Sequence, residues 1–191
     1  MPHMLDDLTV DALLDELAAP QEVPGGSSAL ALALAAAAAL VAMAARLSES
    51  WEDAPGLAAQ AQALQSRAVE LMESGAQGYR RALAVRAQTA PFPQERRDFE
   101  VGRAFAAAAE PPLELGRTAA DVAELAAVVA AGGAEAVRAD ALVAAALAAA
   151  VARGARALVA VNLTALPGDA RVEEAQGFAD LAERAASIAL R

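Results

Sequence analysis

The sequence predicts an all-α fold: a single-domain antiparallel helical bundle with long alanine-rich helices. Three observations carry that prediction. Apolar residues make up 57% of the 191 residues, and the excess is nearly all alanine, the best helix former and a poor strand former. Only six residues are aromatic, counting Trp, Tyr and Phe together. Leucine and valine recur among the alanines at three- and four-residue spacing, the period of a helix face. A chain of this length fits one domain and can bury a sizeable core.

Caps and breakers set the order of elements. Thr9 is placed to cap a first helix reaching Ala18, with Val10, Leu13, Leu14 and Leu17 as one apolar stripe. Pro20 to Gly26 forms the loop that follows. Pro24 fixes its own φ and pushes Val23 toward an extended conformation, so no helix passes through this point. Gly25 and Gly26 let the backbone turn sharply and let a neighbour approach, and Ser27 or Ser28 can then cap a second helix running to about Leu47. This helix start reads in two ways, as a plain cap and turn or as an anion site built from free N–H groups.

The run from Ala29 to Ala45 carries no charge. Its length reaches the lower edge of a membrane span, but alanine is weakly hydrophobic and no aromatic belt flanks it, so a buried helix is expected and no membrane. A helix apolar on every side is buried all round. A chain this size has trouble surrounding it alone, so a homodimer is expected.

Trp51 follows in a loop, as a lid over a helix end. Asp53 and Pro55 open a third helix, about 54–88, with Leu57, Ala61, Leu64, Ala68, Leu71 and Met72 at helical spacing. Gly75 and Gly78 interrupt it near Tyr79, and Pro91 and Pro93 end it. A shorter helix over 94–110 has Phe99 and Phe105 as core anchors. Pro111 and Pro112 start the next, which carries Leu113, Leu115, Val122, Leu125 and Val128 and breaks at Gly132-Gly133. A last long stretch covers 135–163. Pro167-Gly168 turns the chain into a terminal helix over 170–190.

The chemistry is narrow. The net charge is −10 and every basic residue is arginine, which excludes lysine Schiff bases and argues against nucleic acid as a partner. With no cysteine there is neither a disulfide nor a thiol nucleophile. The one histidine, His3, stands near the N-terminus, so a zinc site or a histidine base is not expected. No charged segment with a cleavage site opens the chain, and an unexported, cytoplasmic protein is expected. Acid and base work must fall to Asp, Glu or Tyr. Asp140 stands where an apolar stretch begins, either as a buried carboxylate with a raised pKa or as a first-turn acid favoured by the helix dipole. Asn162, between Val161 and Leu163, either finds buried partners or caps its own helix. Arg138 could clamp a carboxylate or face solvent.

Three stretches carry a resemblance: Leu13-Leu14-Asp15-Glu16-Leu17, then Pro24-Gly25-Gly26-Ser27-Ser28-Ala29-Leu30-Ala31, then Leu40-Val41-Ala42-Met43-Ala44-Ala45-Arg46-Leu47. In this order they resemble the opening of the cyclodeaminase/cyclohydrolase family, which includes formiminotetrahydrofolate cyclodeaminase domains and bacterial methenyltetrahydrofolate cyclohydrolases. The similarity continues through Glu110-Pro111-Pro112-Leu113-Glu114, Asp140-Ala141 and Val159-Ala160-Val161-Asn162-Leu163, so residues 1–191 read as one domain of this kind.

The resemblance implies an all-helical dimer that binds a tetrahydrofolate derivative near the glycine-rich turn, with no metal and no tightly bound cofactor. It implies ligand contacts from Pro24, Gly25, Gly26, Ser27, Ser28, Tyr79 and Asn162, and a catalytic carboxylate at Asp140. The reaction is opening of a methenyl bridge by water, or closing of that bridge with loss of ammonia. The chain also departs from the family pattern. Ser27 replaces the third glycine, Gly75 falls where the family has an acid, and Leu158 replaces an asparagine. Ala134 and Ala139 stand where Asn and Ser are usual, the basic cluster after helix two is acidic here, and the later lysine is absent from Ala90-Pro91-Phe92-Pro93. A catalytically degenerate relative, acting as a folate-like-ligand-binding or structural helical dimer, is the alternative expectation.

Overall fold

The structure, a computed structural model, describes residues 4–88 and 93–189. His3, the break expected at Pro91, and the end of the last helix at Leu190 lie outside the described residues. Among those described are seven α-helices and no strand: α1 Val10–Ala18, α2 Gly26–Arg46, α3 Ala54–Ala87, α4 Gln94–Ala107, α5 Glu110–Gly132, α6 Arg138–Asn162 and α7 Ala170–Ala189. Short 3-10 turns cover Leu5–Asp7 and Glu135–Val137. The all-α prediction holds.

Helix α5 runs through the middle, packed on α2, α3, α6 and α7. It carries Leu115, Val122 and Val129, all almost completely buried. Helices α2 and α6 lie antiparallel along their whole length. At one end a Cβ on Gly26 would touch Leu158, and in the middle Leu30 covers Gly154 so closely that a Cβ there would stand 2.7 Å from it. At the other end the buried Ser48 hydroxyl donates to the Ala44 carbonyl at 2.8 Å and accepts from the Ala134 amide at 2.8 Å. Small residues thus let the backbones approach, and the core gains dispersion contacts without large side chains.

Several sequence expectations are met. Thr9 caps α1, its hydroxyl accepting from the Ala12 amide at 3.2 Å. Trp51 lies over the C-terminal end of α5, its ring where a Cβ on Gly132 would have to go. Gly168, at φ +84°, makes the turn after α6 in the left-handed region that favours glycine. Others are corrected. Gly75 and Gly78 do not interrupt α3, which is continuous over 34 residues; both are buried where neighbours press on the helix. Val10 and Leu14 point outward, and only Leu13 of that stripe is fully buried. Phe99 is 66% exposed, since α4 packs mainly on α3 and buries none of its residues fully. Helix α2 is buried on one side; on the other Ala29 and Ala36 are exposed and Leu32, Leu40 and Met43 half-buried, with charge only at Arg46 in its last turn. Both α2 and the stretch 135–162 are long and apolar enough to cross a membrane, and about half of each is buried in the bundle.

Charge fixes the start of α7. Arg171 donates to both carboxylate oxygens of Asp169, to Glu110 at 2.6 Å and to the Ala106 carbonyl at 2.8 Å, tying the α6–α7 turn to the α4–α5 junction. These bonds hold the Asp169 carboxyl down at about 2.

Candidate functional site

The bend before α2 opens a cavity of about 210 Å³ between the head of α2, the middle of α3, the α4–α5 junction and the last turn of α6. The turn comes from Pro24, joined to Val23 by a cis peptide, and from Gly25, the residue that precedes the helix. The serine cap expected here is not made. Gly25 is the N-cap, α2 starts at Gly26, and no side chain bonds to its first amides. The first α-helical bond runs from the Ala29 amide to the Gly25 carbonyl at 3.1 Å, so the amides of Gly26, Ser27 and Ser28 precede the bonded ladder.

Both serine hydroxyls are buried and have no hydrogen-bond partner. Ser28 is 1% exposed. Leaving a hydroxyl in this condition costs about 1–3 kcal/mol, so two on one turn of one helix call for an explanation. Both residues line the cavity. Free amides and free hydroxyls therefore converge on one space at the positive end of a 21-residue helix.

The wall opposite is shaped by an absence. A Cβ on Gly75 would stand 2.5 Å from the Ser27 hydroxyl oxygen and 3.4 Å from its Cβ. Ser27 occupies the space a side chain at 75 would need, so these two departures from the family pattern fit each other. Tyr79, one turn on, lines the cavity and meets Phe105 edge to face with ring centroids 5.9 Å apart. Arg86 lies over the other ring at 5.9 Å from its centroid and bonds Glu22 at 2.9 Å. Asn162 is buried and donates to the Ala108 carbonyl at 3.1 Å, joining the end of α6 to the end of α4. The residue also lines the cavity.

The structure thus brings Gly25, Gly26, Ser27, Ser28, Tyr79 and Asn162 to one space, with Pro24 buried behind the bend. It does not bring Asp140 there. That residue lies in the first turn of α6 and Asn162 at its end, about 33 Å away at the helical rise. Sequence reasoning missed Glu22, Ala108 and Val161, which also line the cavity, as does Leu158, marked beforehand only as a departure from the family pattern. No spacing rule marks them, since they come from three separate parts of the chain; only the nearness of Glu22 to Pro24 was a signal. Glu22 is the one carboxylate lining the cavity among the described residues.

A sequence model of the family described as Formiminotransferase-cyclodeaminase matches residues 9–180 of the chain. Among solved structures the fold is similar to the crystal structure of formiminotetrahydrofolate cyclodeaminase from Thermotoga maritima. The TM-score is 0.86 and the identity 19%, over 97% of this chain and 95% of that one. No curated protein matches the sequence.

Proposed function

The chain belongs to the formiminotransferase-cyclodeaminase family, and from that premise we propose that it acts on a tetrahydrofolate derivative bound at the head of α2, as a single 1–191 catalytic domain working as a cytoplasmic homodimer. The observation that carries this reading is the pair of buried, unpartnered serine hydroxyls facing the cavity beside the free amides of α2. A pterin-like head presents amide and ring-nitrogen groups in a plane, which such donors can read. The volume supports a bicyclic head and not a whole folate, because pockets for larger ligands run to roughly 300–1,000 Å³. The remainder of the ligand leaves through the open mouth, past Tyr79 and Glu22.

The family chemistry needs little from the protein. In the hydrolytic direction water adds to the methenyl carbon, its bond to one nitrogen breaks, one proton is released and a formyl group remains. In the deaminating direction the side-chain nitrogen beside the ring attacks the formimino carbon held on the ring nitrogen, loses its proton, and ammonia leaves, closing the methenyl bridge. Either way a cationic amidine-like centre is formed or consumed, and a carboxylate nearby stabilises it. Rigid placement in a cavity that excludes bulk water supplies the remainder.

A second reading is favoured by one observation: within one chain Asp140 stands far from the cavity, and no acid occupies position 75. It is a helical dimer that binds the folate without turning it over. Purified protein mixed with methenyltetrahydrofolate separates the two. Loss of the methenyl chromophore faster than in buffer supports the enzyme. Calorimetric binding with no acceleration supports the binding module, and no binding at all contradicts both.

A further inference from the structure

Glu22 stands in the loop before α2, two residues ahead of Pro24, where the bend opens the cavity. Its carboxylate reaches across to α3: one terminal nitrogen of Arg86 donates to both of its oxygens, at 2.9 and 3.2 Å. The guanidinium in turn lies 5.9 Å from the centroid of the Phe105 ring on α4, and Tyr79 meets that ring edge to face. A loop, two helices and a pair of rings thus fix one carboxylate in place. The two charged side chains are 60% and 51% exposed, and an ion pair so exposed adds little to stability. Holding the fold is a poor account of it.

Glu22 lines the cavity and Arg86 does not. The pair is therefore a dipole with its acid at the cavity and its base over Phe105. The inner wall, by contrast, repels a cation. It consists of free amides and hydroxyls at the positive end of α2, and among the described residues no acid but Glu22 lines the space. At about 210 Å³ the cavity takes only the bicyclic head of the ligand. The methenyl carbon joins a nitrogen of that head to the first nitrogen outside it, so it lies on the rim of the head. Size and charge together turn the cationic bridge toward the mouth, where Tyr79 and Glu22 stand.

We propose that Glu22 is the catalytic carboxylate of this chain and that Arg86 is the residue that positions it. Resting on the folate reading of the cavity, this supplies from the loop before α2 the acid that neither Gly75 nor Asp140 provides there. The carboxylate faces the cationic bridge and stabilises its charge. In hydrolysis an oxygen–carbon bond forms between water and the methenyl carbon, the π pair of the C–N double bond returns to nitrogen, and Glu22 takes one proton from the water. The bond from that carbon to one nitrogen then breaks, the proton of the new hydroxyl passes to the freed nitrogen, and a formyl group remains. Glu22 gives its proton to solvent through the open mouth, which is the one proton released overall. Arg86 holds the carboxylate at the mouth, and the Phe105 ring holds Arg86 outside the cavity.

Two ligands of similar size separate charge from fit. Methenyltetrahydrofolate is cationic at the bridge, whereas 5-formyltetrahydrofolate carries the same carbon and is neutral there. Each is titrated calorimetrically into full-length wild type and Glu22→Gln. The variant should weaken the methenyl ligand about fivefold, the upper end for a partly exposed charge pair, and leave the formyl ligand unchanged. Followed by loss of the methenyl chromophore, its kcat should fall about a hundredfold, the scale of a lost general base, and Glu22→Asp should recover part of it. Arg86→Met should lower kcat by less, and no further in the Glu22→Gln background, because it acts through the carboxylate. Equal weakening of both ligands by Glu22→Gln, or an unchanged kcat, overturns the role of Glu22 and leaves the folate reading standing. Additive losses in the double variant overturn the positioning role of Arg86. A wild type that binds methenyltetrahydrofolate without turning it over overturns the proton step, and one that binds neither ligand removes the folate reading and the proposal together.

Discussion

The buried hydroxyl of Ser28 is a small group with a measurable cost. With no partner in the ligand-free protein, it lowers stability, and Ser28→Ala should raise the unfolding free energy by about 1 kcal/mol. The same change should weaken the ligand, since the hydroxyl finds its partner only there. Chemical denaturation checks the first half; unchanged or lower stability would mean the hydroxyl is satisfied in solution. Ser27 and Gly75 test a different kind of fit. Gly75→Ala places a methyl 2.5 Å from the Ser27 hydroxyl oxygen and should cost about 1–2 kcal/mol. In a Ser27→Gly background the same change should stabilise by up to about 1 kcal/mol, because alanine suits a helix better than glycine. A double-mutant cycle that showed simple additivity would contradict the packing described here. The sequence marked all of these positions as unusual, but it could not show that the serine fills the room of the missing side chain. That relation depends on the distance between α2 and α3.

Among the elements, α5 and α7 depend on contacts the sequence marked only in part: it set Trp51 over a helix end without saying which. Gly132→Ala would drive a methyl to 2.7 Å from the Trp51 ring, and an indole over a helix end cannot step aside as a flexible chain can. A loss of about 1–3 kcal/mol is expected by thermal or chemical unfolding. The start of α7 carries the pH dependence. Arg171 holds the Asp169 carboxyl at about 2, below the ordinary value of about 3.9. A group whose folded pKa is depressed adds stability above its unfolded pKa and loses it as pH falls through the folded value. The contribution of this pair should therefore persist at pH 5 and disappear between about pH 4 and pH 2, and Asp169→Asn should flatten that part of the stability curve. Helix positions were legible because alanine, caps and breakers act locally. Burial was less so: Phe99 and Val10 looked like core residues by type, yet α4 packs mainly on α3 and the outer side of α1 faces solvent. Periodicity tells which residues share a face and not whether anything covers it.

For the whole molecule, α2 keeps a partly uncovered apolar side on which Ala29 and Ala36 are exposed, and the homodimer proposed above would cover it. The glycine-rich turn and Asn162 stood out by their local chemistry and Tyr79 through the family resemblance, and all of them line the cavity. Glu22 and Ala108 were not legible, since a cavity lined from four helices and the loop before α2 leaves no sequence spacing to read. The separation of Asp140 from Asn162 already followed from placing both on one helix over 135–163; which of the two meets the head of α2 did not. Calorimetric titration of methenyltetrahydrofolate into wild type and Ser28→Ala, side by side, tests the account most directly. It predicts one site per chain in the wild type and affinity lowered about tenfold in the better-folded variant, the scale of one hydrogen bond to a charged or strongly polar group. No binding to the wild type, or equal affinity in the two proteins, would contradict it.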